Sequence, residues 1–412
     1  MIRETDGGVT APQGFRAAGV CAGIKRGGDC PDANSAQTAG PLDLALLVSD
    51  VPATAAAVFT TNRAQAAPIV ISREHLTRSR GSVRAIVINS GCANACTGDA
   101  GLQVARDMAA ETAHAVDCPA EQVLVASTGV IGVALPLAKI RNGLPAAVAA
   151  LGADQGTVAA RAIMTTDPFP KEAAAQTTID GRTITIGGMA KGAGMIEPMM
   201  ATMLAFLTTD AAVPGPVLDR ALREAVNDSF NAITVDGECS TNDCAILLAN
   251  GVSGGAVNES SYREFVEALR TVCRRLAIDI VRGGEGATKL VTVRVAGAAS
   301  PEEARRAAKA IANSPLVKTA IHGGDPNWGR LIAVAGRAAV AFELSRAAVT
   351  IGTTVLFKDG RPYDEAAPAA AAYLKGKDVE LTVDLGSGSA TSTVWTCDLS
   401  AEYVRINAEY RT

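Results

Sequence analysis

The sequence predicts a protein of the α+β class, because strong strand patterns and strong helix patterns occur in the same chain. Residues 83–88 (VRAIVI) form a β-branched run typical of a buried strand, and residues 379–385 (VELTVDL) alternate as a half-buried strand does. Residues 262–281 instead place their large apolar side chains on one helical face. With 412 residues, 48% of them hydrophobic, the chain is long enough for two or three domains with real cores.

The first ninety residues are expected to contain mainly strands and turns. Residues 43–49 read as a buried strand that ends in a turn at Val51-Pro52. Residues 58–61 and 69–72 predict two further short strands. The polar, glycine-containing segment 27–41 predicts a surface loop.

The middle of the chain alternates helical stretches with short strands. Helices are expected at residues 102–116, 137–151 and 217–233, and strands at 123–126 and 245–248. The strand 123–126 stops at Ser127-Thr128-Gly129, a small polar turn of the kind that often exposes backbone amides at an active site, although the spacing alone favours an ordinary turn.

From residue 290 the pattern changes, which places a domain boundary near residues 285–290. A strand is expected at 290–295, and Ser300-Pro301 with Glu303 forms a strong helix start. Residues 366–372 read as a helix, and the strands 379–385 and 390–397 follow. No internal repeat is visible. We therefore expect a core domain at 1–286 and a smaller α+β domain at 287–412.

The central segment 187–207 (GGMAKGAGMIEPMMATMLAFL) combines a glycine-rich half with an apolar half. Its glycines predict a shaped loop that lets the backbone approach a ligand closely, and this loop carries Lys191. The apolar run 199–207 is typical of a buried strand, but it contains Thr202, whose hydroxyl needs a partner when buried. Two interpretations stay open: a strand threonine bonded to a carbonyl, or a nucleophile beside a glycine-shaped pocket.

Composition excludes several classes of function. A net charge of −4 and an aromatic content of 4% argue against a nucleic-acid partner. No apolar run approaches the roughly 20 residues that span a bilayer, so no membrane partner is expected. The N-terminal residues show no secretory pattern, which indicates a cytoplasmic protein. The 9 cysteines are an odd count without a second zinc-ligand pair, so we expect free thiols and no metal.

The residues available for catalysis point away from histidine chemistry. The chain has 3 histidines, of which only His322, in a turn-rich segment, is a reasonable candidate, so a Ser–His–Asp triad is poorly supplied. A threonine nucleophile can do without histidine if it becomes an N-terminus, because its own α-amine then serves as the base. Cleavage between Ala201 and Thr202 would create such a residue.

These segments resemble the ornithine acetyltransferases, the bifunctional arginine-biosynthesis enzymes that process themselves. The resemblance runs through the whole chain and is carried by KGAGMIEPMMATML at 191–204, NSGCANACTG at 89–98, ASTGVIG at 126–132, MTTDPFPK at 164–171, FNAITVDGECSTND at 230–243, GGEGATK at 283–289, DPNWGR at 325–330 and YVRINAEYRT at 403–412.

The resemblance implies a fold and a processing event. The core domain is expected to be a self-processing α/β/β/α layered structure of the N-terminal-nucleophile type, with the smaller α+β domain returning its C-terminal tail to the active site. Cleavage would yield an α chain of 1–201 and a β chain of 202–412, assembled as α2β2.

It also implies the site. Thr202 would be the nucleophile, and Thr128 and Gly129 would form the oxyanion hole. The amino-acid substrate would contact Thr165, Lys191, Thr202, Glu285, Asn407 and Thr412. The implied reaction moves the acetyl group of N-acetylornithine to glutamate through an acetyl-threonine. No bound cofactor is expected, and acetyl-CoA is expected to serve as a second acetyl donor.

The sequence departs from the family at Met199 and Cys92, where many relatives have Asn, and the 27–41 loop is longer than usual. Met199 could alter the rate of processing. Two alternatives stay open: an aminopeptidase or amidase of the same fold that transfers the acyl group to water, and an amino-acid-binding relative that does not cleave itself.

Overall fold

A computed structural model describes residues 2–25, 40–197 and 203–409. The expectations for most of the 27–41 loop, for Met199, for the Ala201–Thr202 cleavage site and for Thr412 therefore lie outside the described residues.

Fifteen strands occur within the described ranges. They are β1 Arg3–Thr5, β2 Phe15–Val20, β3 Leu44–Phe59, β4 Ser82–Cys92, β5 Val123–Val130, β6 Lys171–Ile179, β7 Arg182–Lys191, β8 Leu204–Thr209, β9 Cys244–Ala249, β10 Leu290–Ala298, β11 Ala348–Ile351, β12 Thr354–Lys358, β13 Arg361–Pro362, β14 Asp378–Asp384 and β15 Ala390–Cys397.

Eleven α-helices accompany these strands in the same parts of the chain. They are α1 Ala67–Arg78, α2 Gly98–Ala115, α3 Leu137–Ala149, α4 Gly156–Ala162, α5 Gly215–Asn227, α6 Tyr262–Arg282, α7 Pro301–Ala312, α8 Pro315–Gly323, α9 Trp328–Arg337, α10 Ala367–Tyr373 and α11 Ala401–Glu409.

One long strand, β3, connects the two halves of the larger sheet. This sheet has nine strands in the order β1-β6-β7-β8-β9-β3-β4-β5, with β2 also paired to β3. The first part of β3 pairs with β2 and β4, and its last six residues pair with β9. The register with β4 shifts between Val48 and Ala53, around Pro52, which cannot donate a ladder hydrogen bond.

The sheet halves pack face to face, with helices outside. Leu204 and Phe206 of β8 share one buried cluster with Ile86 and Ile88 of β4, which lie in the other half. The opposite face of β6 to β9 packs on α5 and α6, and the opposite face of β3 to β5 packs on α2 and α3. The expected α/β/β/α layering is therefore confirmed, and it follows from strands whose two faces are both apolar.

The second sheet lies in the C-terminal part of the chain. Its six strands follow the order β13-β12-β11-β14-β10-β15. Apolar residues of these strands pack against α7, α8, α9 and α10 in a separate buried cluster. The segment 283–289 connects α6 of the first core to β10 of this one. The division at residues 286 and 287 stays a prediction.

Several local expectations are wrong. Residues 69–72 belong to α1, in which Pro68 occupies the first turn, where a missing N–H costs nothing. The turn expected at Val51-Pro52 lies inside β3. Gly187 and Gly188 belong to β7 and not to a loop, and the helix expected at 217–233 ends at Asn227. In each case pairing or packing with distant residues decides the local structure.

Two further observations bear on the composition-based expectations. Among the described residues, no helix is both long and apolar enough to cross a membrane. Cys21 is disulfide-bonded, so the expectation of free thiols is wrong at this position. The free cysteines are Cys92, Cys96, Cys118, Cys239, Cys244, Cys273 and Cys397.

Candidate active site

One cavity collects predicted site residues from distant parts of the chain. They come from β5, from the turn after α4, from the end of β7, from the 283–289 segment and from α11. The six predicted site residues that line this cavity are Thr128, Gly129, Thr165, Lys191, Glu285 and Asn407.

Thr128 and Gly129 lie near the end of β5, where the strand approaches β4 unusually closely. Gly129 has a φ of +126°, and a Cβ atom there would lie 2.4 Å from the carbonyl carbon of Gly91. Only glycine fits this conformation and this approach. The family resemblance assigns Thr128 and Gly129 to the oxyanion hole. Their backbone is held against a neighbouring strand at one side of the cavity.

Lys191 ends β7 and is paired in register with Leu204 of β8. Its side chain is buried, and its ammonium donates hydrogen bonds to Thr128 Oγ1 at 3.1 Å and to Thr165 Oγ1 at 2.9 Å. Burial lowers the pKa of Lys191, and the negative charge of Asp167 acts in the opposite direction. A buried ammonium with hydroxyl partners is suited to attract an anionic group of a ligand.

Asp167 lies behind Thr165 and Lys191 and connects the two segments that carry them. Its carboxylate accepts hydrogen bonds from Lys171 Nζ at 2.6 Å, from the Gly192 amide at 2.7 Å and from the Thr165 amide at 3.0 Å. Burial would raise the pKa of Asp167, but the charges of Lys171 and Lys191 and these hydrogen bonds outweigh it and lower the pKa to about 2. The carboxylate is therefore ionised and fixes Thr165 relative to the end of β7.

Glu285 forms a second, acidic part of the cavity. Its amide donates to the Ala193 carbonyl at 2.8 Å, and its carboxylate comes so close to Gly194 that a Cβ atom there would lie 2.4 Å from it. Asn407 Nδ2 donates to Glu285 Oε2 at 2.8 Å. The close packing of Gly286 on the Tyr403 amide brings α11, and with it Asn407, to this point.

Residues 240–243 form a third wall of the cavity. The sequence analysis did not predict them as site residues. Asn242 Nδ2 donates to the carbonyls of Ala93 at 2.6 Å and Ser127 at 2.9 Å, so it holds the strand end that carries Thr128. Asp243 also lines the cavity and is almost fully buried. The available signal was the polar cluster Ser240-Thr241-Asn242-Asp243 directly before a buried strand.

Asp243 differs from Asp167 in its partners. Its Oδ2 atom is buried and accepts no hydrogen bond from a described residue. Burial raises the pKa of Asp243 well above its ordinary value, and hydrogen bonding from Ser240 and the charge of Lys191 only partly oppose this. Burial therefore favours the neutral form of this carboxyl group.

The remaining predicted residues are either not described or lie elsewhere in the fold. Thr202, Ala201 and Thr412 are not among the described residues, and Met203, which follows Thr202 in the sequence, lines the cavity. His322 does not lie in a loop: it is in the last turn of α8, and its Nδ1 atom is 2.6 Å from Asp398 Oδ2. Asp398 also accepts from the Thr288 and Lys289 amides, so this pair supports the segment that carries Glu285.

The layered fold and the cavity together define a class of protein: an α/β/β/α enzyme whose cavity presents a buried cation and a carboxylate to a small charged molecule. The ArgJ family model matches residues 16–412. The chain is 50% identical over 411 residues to the arginine biosynthesis bifunctional protein ArgJ of Symbiobacterium thermophilum, covering 98% of this chain and 99% of the relative.

Further relatives agree. The protein of the same name from Thermosynechococcus vestitus is 48% identical over 428 residues, covering 100% of this chain and 99% of the relative. The ornithine acetyltransferase of Mycobacterium tuberculosis, solved in complex with ornithine, is 43% identical to this chain. The match covers 49% of this chain and 100% of the solved chain, with a TM-score of 0.43. The chain belongs to the ArgJ family. The aminopeptidase or amidase alternative is not favoured by these relatives.

Proposed function

We propose that this protein transfers the acetyl group of N-acetylornithine to glutamate, giving ornithine and N-acetylglutamate in arginine biosynthesis. Membership of a family whose relatives are named bifunctional arginine biosynthesis proteins supports this reaction. The observation that carries it is one cavity in which the Lys191 ammonium, the Glu285 carboxylate and the Thr128–Gly129 backbone occur together. A zwitterionic amino acid with an acetyl group needs these three kinds of contact.

The proposed chemistry begins with cleavage between Ala201 and Thr202. Thr202 Oγ then attacks the acetyl carbonyl of N-acetylornithine, and its proton passes to its own α-amine. The carbon–nitrogen bond breaks, and the departing ornithine amine takes up that proton. Negative charge on the carbonyl oxygen is stabilised by the Thr128 hydroxyl and the Gly129 amide, at about 3–4 kcal/mol per donor in comparable sites.

The second half of the reaction reverses these steps with a different amine. The neutral amine of glutamate attacks the acetyl-threonine, the ester bond breaks, and Thr202 Oγ recovers its proton through the α-amine. Ornithine leaves before glutamate reacts with the acetyl-threonine, so the kinetics are ping-pong. We extend the proposal to acetyl-CoA as a second acetyl donor, to an α2β2 assembly of the cleaved chains and to a cytoplasmic location.

Substrate recognition is assigned to the two charged residues. An ammonium has three donors, and the described residues occupy two of those of Lys191, so the third is directed to the α-carboxylate that both substrates share. Glu285, supported by Asn407, contacts the cationic end of ornithine. Lys191→Ala is expected to raise the KM for both N-acetylornithine and glutamate; unchanged KM values for both would contradict the carboxylate assignment.

The test of the reaction compares two acceptors. Ornithine and N-acetylglutamate are measured with N-acetylornithine as donor, with and without glutamate. Acetyl transfer predicts that glutamate accelerates ornithine release and that both products form in equal amounts. Ornithine release at the same rate without glutamate, with acetate as product, would instead indicate a hydrolase. Replacing N-acetylornithine by acetyl-CoA in the same assay tests the second donor.

Variants at position 202 separate processing from transfer. Thr202→Ala removes the hydroxyl, so intact-mass measurement is expected to show only the full-length chain and no transfer. Thr202→Ser is the matched control, because it keeps a hydroxyl and is expected to give both chains and measurable transfer. A cleaved and active Thr202→Ala protein would show that the nucleophile lies elsewhere.

A further inference from the structure

Lys191 contacts a residue that the proposed reaction uses in a different role. Its ammonium donates to the hydroxyl oxygen of Thr128, the side chain assigned to the oxyanion hole. The buried carboxylate of Asp167 forms its ion pair with Lys171, at 2.6 Å. Lys191 therefore directs its charge at the two threonine hydroxyls of the cavity.

The direction of this hydrogen bond constrains the Thr128 hydroxyl. A threonine hydroxyl has one hydrogen and two lone pairs, whereas an ammonium can only donate. Lys191 thus occupies a lone pair of Thr128 Oγ1, and the hydroxyl hydrogen must point elsewhere. Within the described ranges the Thr128 hydroxyl donates no hydrogen bond to protein. Since Thr128 lines the cavity, its hydrogen is free for a ligand oxygen there.

Burial strengthens this arrangement. Thr128 and Lys191 are each 9% exposed, so water competes little for either group. Donors that are already oriented where charge develops do not have to reorganise during the reaction, which is the main source of oxyanion stabilisation. A neighbouring positive charge also polarises the hydroxyl and makes it a stronger donor.

We propose that Lys191 is a positioning residue for the oxyanion hole: through its hydrogen bond to Thr128 Oγ1 it orients the hydroxyl towards the acetyl oxygen, in addition to contacting the substrate carboxylate. This inference rests on the proposed function and deepens it. It predicts that Lys191 contributes to the rate of acetylation even when the acetyl donor carries no carboxylate.

An uncharged ester separates the two roles of Lys191. 4-Nitrophenyl acetate has an acetyl group but neither a carboxylate nor an ammonium. In its reaction Thr202 Oγ bonds to the acetyl carbon, the bond to 4-nitrophenolate breaks, and the Oγ proton passes to the α-amine. Release of 4-nitrophenolate is followed on the cleaved protein, with the Thr202→Ala rate subtracted as background.

The expected result is a loss of acetylation rate in Lys191→Met. Removing an oxyanion donor costs about 100–1,000-fold, so losing only its orientation is expected to cost about 10–100-fold. Thr128→Val removes the hydroxyl itself, and adding Lys191→Met to it is expected to change the rate by less than about 3-fold, because no hydroxyl remains to orient. A Lys191→Met rate on the ester equal to wild type, or additive effects of the two substitutions, would overturn the proposal.

A matched control removes a different buried lysine. Lys25 is partly buried near Lys191, its Nζ atom donates to the Leu42 carbonyl at 2.7 Å, and it does not line the cavity. Lys25→Met is therefore expected to leave ester acetylation within about 2-fold of wild type, since it loses a positive charge without losing the Thr128 contact. An equal loss in Lys25→Met and Lys191→Met would mean that general charge, and not orientation, matters.

The experiment distinguishes failure of the Lys191 proposal from failure of the proposed acetyl transfer. If the wild type reacts with the ester but does not transfer acetyl groups to glutamate, the transfer reaction is wrong and the Lys191 comparison still stands. If Lys191→Met is not cleaved, Lys191→Arg is measured in the same cycle with Thr128→Val. Its planar guanidinium cannot reproduce the ammonium geometry, so non-additive effects are expected again and additive effects would contradict the orientation.

Discussion

Two buried aspartates beside the cavity show opposite behaviour. Asp167, behind the wall formed by Thr165 and Lys191, is ionised and accepts hydrogen bonds from a lysine and two backbone amides. Asp243, on the wall formed by residues 240–243, keeps one carboxyl oxygen without a donor among the described residues, and burial raises its pKa. The two side chains are of the same type and similarly shielded from water.

The difference teaches that burial alone does not set the charge of a carboxyl group in this site. Burial raises the pKa of both groups, but only Asp167 has enough donors and nearby positive charge to reverse the shift. The cavity therefore has one wall with a fixed negative charge behind it and another wall whose carboxyl group is shifted towards its neutral form. The two carboxyl groups therefore contribute differently to the electrostatic environment of Lys191. Replacing each of them in turn tests this difference.

The largest effect is expected from Asp167→Asn. The substitution leaves the fully buried Lys171 ammonium without a counter-charge, and breaking a buried pair in this way typically costs about 3–5 kcal/mol of unfolding free energy. Urea unfolding measures this loss. Asp219→Asn is the control, because it breaks an exposed pair with Arg223 and should cost less than about 1 kcal/mol. Equal losses for the two variants would mean that Asp167 is not a structural charge.

The next effect is a pH dependence specific to Asp167. Its pKa of about 2 in the folded protein lies below the unfolded value near 3.9, so its contribution to stability is complete above about pH 5 and is lost as the pH falls through about 2. The shift corresponds to about 2–3 kcal/mol. Urea midpoints measured between pH 6 and pH 2 should therefore fall more steeply for wild type than for Asp167→Asn. Parallel curves would contradict an ionised Asp167.

The smallest effect is expected from Asp243→Asn. Because the folded pKa is raised, the Asp243 carboxyl contributes stability below its unfolded pKa, and this contribution is lost as the pH rises through the folded pKa. An asparagine resembles the neutral acid, so we expect a change within about 1 kcal/mol at acidic pH, where the Asp243 carboxyl is protonated, and a relative gain over wild type as the pH increases. A loss as large as that of Asp167→Asn would show that Asp243 is also ionised.

Much of the fold was predictable from local patterns. The helix at residues 262–281 corresponds to α6, and the strands at 83–88, 245–248 and 379–385 fall in β4, β9 and β14. The errors occurred where distant contacts decide. The short apolar run 69–72 is too short for periodicity to separate helix from strand, and its packing on β5 decides for helix.

The candidate site was predictable in its residues but not in its connections. The motifs named Thr128, Thr165, Lys191, Glu285 and Asn407, and the structure places all five along one cavity. Nothing in the motifs indicated that Lys191 donates to both threonines, since Thr128 is 63 residues away in the sequence. The roles assigned to these residues, and to Thr202, stay predictions.

The sequence by itself determined the pattern of helices and strands in its strongly periodic segments and the family resemblance, because both are carried by residues that are close together in the chain. Only the tertiary structure decided that β3 serves both halves of the larger sheet, that the pKa of Asp167 is lowered while that of Asp243 is raised, and which way the Thr128 hydroxyl is constrained. The strand pairing, the desolvation and the hydrogen-bond donors behind these findings all come from segments that are distant in the chain. Local sequence does not reveal which segments these are.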